Sequence, residues 1–125
     1  MVSETADFHI VFVNADDTLD NADRMRAGIA AIDGIRVLGD GVFHLVAMAA
    51  DPDSARSVDM FALGDALLER GWYHDRQAPP DNLHSTVSNT NTGVIEEYLA
   101  DLESCVEHVG TNVADDRSTN YATLE

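Results

Sequence analysis

An α+β domain is the fold class this sequence predicts, on three observations. Apolar residues recur with helical spacing in three stretches, around residues 19–32, 60–68 and 95–109. Short runs rich in β-branched and aromatic residues stand between them, bounded by Gly, Pro, Asp and Asn. These runs arrive in neighbouring pairs and not in strict alternation with helices. That order favours a small antiparallel or mixed sheet, with helices mainly on one face, over a doubly wound parallel sheet.

Residues 1–17 form an N-terminal extension in which residues 8–13 (Phe-His-Ile-Val-Phe-Val) have the composition of a strand. Asp16 and Asp17 offer capping oxygens to a helix whose apolar stripe is Leu19, Ala22, Met25, Ile29 and Ile32, and Gly34 ends it. Residues 35–38 and 43–49 read as a hairpin about Gly39-Asp40-Gly41. Beyond Asp51-Pro52-Asp53-Ser54, Ser57 or a neighbour caps a second helix over residues 58–70, with Met60, Phe61, Leu63, Leu67 and Leu68 inward. Gly71 stops it and Trp72 folds back on it. Residues 72–75 and 83–88 read as short strands on either side of the rigid Pro79-Pro80 turn. The last helix, over residues 92–109, carries Ile95, Tyr98, Leu99, Leu102, Cys105, Val106 and Val109 on one side and an acidic row on the other. Gly110 ends it, and residues 111–125 are expected to be a flexible acidic tail. The first six elements run in the ferredoxin-like order β-α-β-β-α-β, with an extra strand and a C-terminal helix after them.

With 125 residues, 45% of them apolar, the chain is one domain that can bury about two-thirds of its unfolded surface. Its charge is extreme: 23 acidic residues against 7 basic ones, all seven of them Arg, for a net −16 and no Lys. Such a surface repels phosphate backbones and anionic membranes, so neither nucleic acid nor membrane is an expected partner. The Asp-rich, Lys-free composition resembles that of halophilic archaeal proteins, whose salt-rich cytosol screens self-repulsion. A single Cys fits a reducing compartment, and Glu4 and Asp7 stand where a signal peptide would need basic and apolar residues. The expected location is cytoplasmic.

Familiar catalytic signatures are missing: no phosphate-cradling glycine loop, nucleophile elbow, His-Glu-x-x-His or paired Cys. Asp81, His84 and Ser85 lie too close along one extended piece to converge as a triad. His74, Asp75 and His84 are within reach of one another across two strands, yet no further ligand stands at metal-binding spacing, so no metal site is expected. Cys105 falls in the inward stripe and reads as a small buried hydrophobe. Trp72, Tyr73 and Tyr98 read as core and rim aromatics. Arg70 and Arg76 either balance local acid or hold an anionic group.

Several segments carry a resemblance. They are Gly34-Ile35-Arg36-Val37-Leu38-Gly39, residues 58–68, Glu69-Arg70-Gly71-Trp72, Gln77-Ala78-Pro79-Pro80-Asp81-Asn82-Leu83-His84, and residues 93–102 (Gly-Val-Ile-Glu-Glu-Tyr-Leu-Ala-Asp-Leu). In this order they resemble the C-terminal small domain of pyridoxal-phosphate-dependent decarboxylases and lyases, the group of sphingosine-1-phosphate lyase, glutamate decarboxylase and archaeal tyrosine or aspartate decarboxylases. The Arg-Gly-Trp, Gln-x-Pro-Pro and Leu-His steps are most similar to the sphingosine-1-phosphate lyase branch. The resemblance assigns residues 18–110 to such a domain and implies a homodimer.

Enzymes of that group hold pyridoxal phosphate as a Schiff base on a Lys of their large domain and use its ring as an electron sink while a carbon–carbon bond breaks. This chain has no Lys, so the expectation is that it binds no cofactor and is not catalytic alone, pyridoxal phosphate belonging to the parent enzyme. What the resemblance implies is a cover for the active site of a large pyridoxal-phosphate-binding domain on the same or a separate chain. His84 would then face the substrate, helped by Gln77 or Arg76. The plainer reading is that His84 only hydrogen-bonds within the sheet. A different class of function, a stand-alone ferredoxin-like ligand-binding or dimerisation module, draws its support from the strand at residues 8–13. A Lys-bearing large domain upstream favours the first, and sheet-mediated dimers of a complete short gene product favour the second.

Overall fold

The computed structural model describes residues 15–39, 45–86 and 94–122. The elements are α1 (Ala15–Ala30), β1 (Ile35–Val37), β2 (Leu45–Ala50), α2 (Met60–Glu69), β3 (Asp75–Ala78), β4 (Asn82–Thr86), α3 (Ile95–Val109) and β5 (Tyr121–Ala122). The strands make one sheet in the order β1-β2-β4-β3-β5, antiparallel at every pairing except β3 with β5. The class is therefore α+β, as expected. The strand expected at residues 8–13 and most of the β1–β2 turn lie outside the described residues.

Strand alternation divides the sheet into two faces. Val46 and Met48 on β2 stand opposite Ser85 and Leu83 on β4, and Val37 on β1 stands opposite Met48. Directly opposed residues share a face, so these side chains form one layer, and Ile35, Val46, Met48 and Leu83 join the helices in a single hydrophobic cluster. Ala22, Met25, Ile29 and Ile32 of the α1 stripe are buried there, and so is every predicted stripe residue of α3. Gly28 lets α1 and α3 approach closely, because a Cβ at that position would lie 2.4 Å from Leu99 Cδ1.

Several boundaries differ from the sequence reading: α1 already runs through Asp16 and Asp17, which were expected to cap it, α3 starts at Ile95 and not at residue 92, and the starts of α2 and β3 differ for local reasons. Val58 is buried and Asp59 is extended (φ −84°, ψ 113°), so α2 starts only at Met60 and Asp59, not Ser57, is its N-cap. At the other end Gly71 takes φ 94°, its N–H donates to Leu68 O, and the Trp72 N–H donates to Leu67 O. That is the Schellman closure, and it turns Trp72 back into the core. His74 is buried as well, so the strand expected at 72–75 begins only at Asp75. Leu68, expected inward, is 52% exposed, since Leu63 and Leu67 four residues apart already define the buried stripe. Each of those two buried leucines contributes roughly 1.5–3 kcal/mol of transfer free energy.

Residues 111–122, expected to form a flexible acidic tail, run back as a strap across α2 and the edge of the sheet. Ala114 is buried, Arg117 pairs with Asp59 and Asp81, and Asn120 pairs with the Arg76 backbone before β5 joins β3.

Candidate functional site on the second face of the sheet

Away from the helices, the second face is built by the alternate residues Arg36 on β1, Ala47 and Ala49 on β2, Asn82 and His84 on β4, and Asp75 and Gln77 on β3. Register places them in two rows. One runs Arg36, Ala49, Asn82, Gln77, and the other Ala47, His84, Asp75. Among the described residues no helix packs here. β4 is the central strand, so Asn82 and His84 stand in the middle of this face, between the alanines of β2 on one side and Asp75 and Gln77 of β3 on the other, and Ala49 and Asn82 are buried.

His84 and Gln77, two of the three sequence candidates, thus share this face. The His84 side chain is 15% exposed, with Nε2 3.9 Å from Asp75 Oδ2. Burial lowers the pKa of its imidazole, and the nearby Asp75 carboxylate only partly opposes that. Asp75 Oδ1 in turn accepts a 2.9 Å hydrogen bond from the Tyr73 hydroxyl. Asn82 is buried and ties the β3–β4 turn, its Nδ2 donating to Pro80 O at 2.8 Å.

Arg76, the third candidate, lies between Asp75 and Gln77 and so projects to the helix side. Its guanidinium stacks 5.0 Å from the Phe61 ring centroid, pairs with Asp65 and donates to Asp116 O at 2.8 Å. The structure does not bring it together with His84. Arg70, the other arginine near the turn, pairs with Asp101 and donates to Ser104 Oγ. Arg36 is what the sequence reading passed over: among the described residues it is the one arginine with no hydrogen bond or ion pair to another group, and it stands at the rim of this face. The period-two pattern of residues 35–37 carried that placement, but only the pairing with β2 shows what lies beside it.

His74 and His84 do not converge on a metal. His74 points into the helix layer, its Nε2 2.7 Å from the Tyr98 hydroxyl, while His84 lies on the opposite face. Cys105 is buried and its thiol pKa is raised by that burial, so it is not poised as a nucleophile. Pyridoxal phosphate does not fit this chain as a resident group, because no residue supplies the amine a Schiff base needs and the arginines near the turn are already engaged by acids.

The fold defines a class: the solved structures this chain resembles include pyridoxal-phosphate-dependent lyases and decarboxylases. Glutamate decarboxylase of Lactobacillus brevis CGMCC 1306 superposes with a TM-score of 0.65 over 81% of this chain and 24% of that one, at 19% identity, a likeness of fold alone. Sequence narrows the likeness to sphingosine-1-phosphate lyase. The enzyme of Burkholderia pseudomallei K96243 matches at 32% identity and a TM-score of 0.64, over 74% of this chain and 20% of that one. The Oryza sativa subsp. japonica enzyme is 30% identical over 99 residues, 79% of this chain and 17% of its own length. The chain thus spans about a sixth of the length of the curated relatives it matches. No protein-family model matches the sequence.

Proposed function

We propose that this chain is the small domain of a pyridoxal-phosphate-dependent carbon–carbon lyase of the sphingosine-1-phosphate lyase kind. The observation that carries the reading is its 32% identity, at a TM-score of 0.64, to such an enzyme. In this reading the sheet face that carries His84 covers the active site of a large domain, which contributes the lysine and the cofactor this chain does not provide. The gathering of His84, Asp75 and Gln77 on one face of the sheet supports that role. His84 and Gln77 face the substrate, and Arg76, turned to the helix side, serves by holding the strap. The assembled enzyme works as a homodimer in a salt-rich cytoplasm.

Mixing supplies the test. Added to a cofactor-loaded, lysine-bearing large domain from the same genome, the chain should form a complex and restore cleavage of a phosphorylated amino alcohol. His84→Ala should lower that restored turnover at least tenfold. Failure to form a complex, or turnover by the chain alone, overturns the reading.

A further inference from the structure

His84 is not isolated on its strand. A line of polar groups leads away from it to the strap, crossing three segments distant in sequence. Asp75 is its cross-strand neighbour, with Oδ2 3.9 Å from Nε2. The Tyr73 hydroxyl donates to Asp75 Oδ1 at 2.9 Å and accepts from Asn120 Nδ2 at 3.3 Å. Asn120 is itself clamped, its Oδ1 accepting the Arg76 N–H at 2.7 Å and its own N–H donating to Arg76 O at 2.9 Å.

We infer that Asp75 is the positioning residue of His84, and that Tyr73 and Asn120 hold Asp75 in place from the strap. The inference rests on the reading above, in which His84 meets the substrate. Geometry supplies the reason. An imidazole can be seated in two ring orientations, and a carboxylate beside Nε2 favours the one that turns a protonated nitrogen toward it. A carboxylate has rotational freedom of its own, which the tyrosine hydroxyl removes. The tyrosine in turn is fixed by an asparagine whose backbone and side chain are both engaged. When the face is covered and water is excluded, the Asp75 charge acts on the ring through a lower dielectric. That attraction opposes the loss of the imidazolium that burial alone would bring, and it leaves His84 able to donate to an anionic oxygen of the substrate, phosphate or carboxylate.

Among the described residues, the titratable groups coupled to His84 are Asp75 from β3, which raises its pKa, and His74, whose own pKa the His84 charge lowers; Ala47 from β2 brings no charge. The test is a nuclear magnetic resonance titration of the histidine rings in this chain. Asp75→Asn should lower the His84 pKa by about one unit and shift its ring nitrogen signals toward a mixture of tautomers. Asp75→Glu should recover most of the difference, and Tyr73→Phe should produce a smaller drop of the same sign. His84 signals unchanged in Asp75→Asn overturn the inference, and Tyr73→Phe identical to the parent chain removes the strap from it. If Asp75→Asn does not fold, Asp75→Glu and Tyr73→Phe decide by the same readout. In the assembled enzyme, Asp75→Asn should lower kcat/KM with a shifted pH profile. The nitrogen signals moving while turnover stays constant would instead sink the substrate-facing role of His84 and leave the positioning intact.

Discussion

His74 shows what a single buried residue imposes on the whole chain. Its ring is packed against Tyr98, 5.6 Å between centroids, with Nε2 2.7 Å from the phenol oxygen. Burial pushes the His74 pKa down to about 4, and the same burial drives the Tyr98 phenol upward. The folded state therefore holds a neutral imidazole, whereas the unfolded chain takes up a proton near pH 6.5. Between those values the unfolded state binds more protons, so stability is complete above about pH 6.5 and falls as the pH drops toward 4, by on the order of 3 kcal/mol. Acidification also relieves the repulsion of a chain carrying −16, so the raw curve mixes two trends of opposite sign. Comparison with His74→Gln, which keeps a hydrogen-bonding partner for Tyr98 but does not titrate, isolates the histidine. Urea unfolding at pH 7.5 and pH 4.5 should show the parent chain losing more stability than the variant, and parallel losses would refute the assignment. Neither this pairing nor that of Tyr73 with Asn120 could be read from the sequence, because each joins residues 24 or 47 positions apart through contacts that no local pattern encodes.

At the scale of elements, the helices were legible and the joints between them were not. The α3 stripe repeats over four turns, so its buried face follows from period alone. The two short strands flanking Pro79-Pro80 carry no such repetition, and their bounds were set by where Trp72 and His74 had to be buried. Asp59 is the sharpest case of a joint. Its Oδ1 accepts from the Phe61 N–H at 2.9 Å and the Ala62 N–H at 3.4 Å, starting α2, while Oδ2 accepts from the Ala114 N–H at 3.2 Å and pairs with Arg117. One carboxylate thus serves as helix cap and strap anchor. Desolvation would raise its pKa, but the Arg117 and backbone hydrogen bonds outweigh it and hold the carboxyl below its usual value. Its stabilising effect is present above the carboxylate range and is lost as the pH falls through it. Asp59→Ala removes both roles and should cost about 1–2 kcal/mol from the cap alone. Asp59→Asn keeps a capping oxygen and loses the charge, so its cost should be clearly smaller. Equal costs for the two variants in urea unfolding would show that the strap, not the cap, depends on this residue.

For the molecule as a whole, the question is which electrostatic effect wins when salt is added. Most of the arginine pairs join separate elements: Arg24 with Glu96 links α1 to α3, Arg70 with Asp101 links the end of α2 to α3, and Arg117 links the strap to Asp59 and Asp81. Salt weakens such pairs, yet their charges sit 2.5–3.0 Å apart, within the roughly 3 Å screening length that still obtains at 1 M. Repulsion among 23 acidic side chains acts over longer distances and is largely screened in the same medium. Repulsion should therefore fade faster than attraction, and the unfolding free energy should rise as potassium chloride goes from 0.1 M to 1 M. Screening also predicts how the strap behaves. Arg117→Gln frees two carboxylates and exposes the Phe61 face that its guanidinium covers at 4.7 Å, so this variant should be destabilised most at low salt and approach the parent chain at high salt. Stability that falls steadily with added salt in the parent chain would mean that the contact pairs dominate. The acidic surface would then be a cost the fold bears for another reason, such as attraction to a basic partner surface.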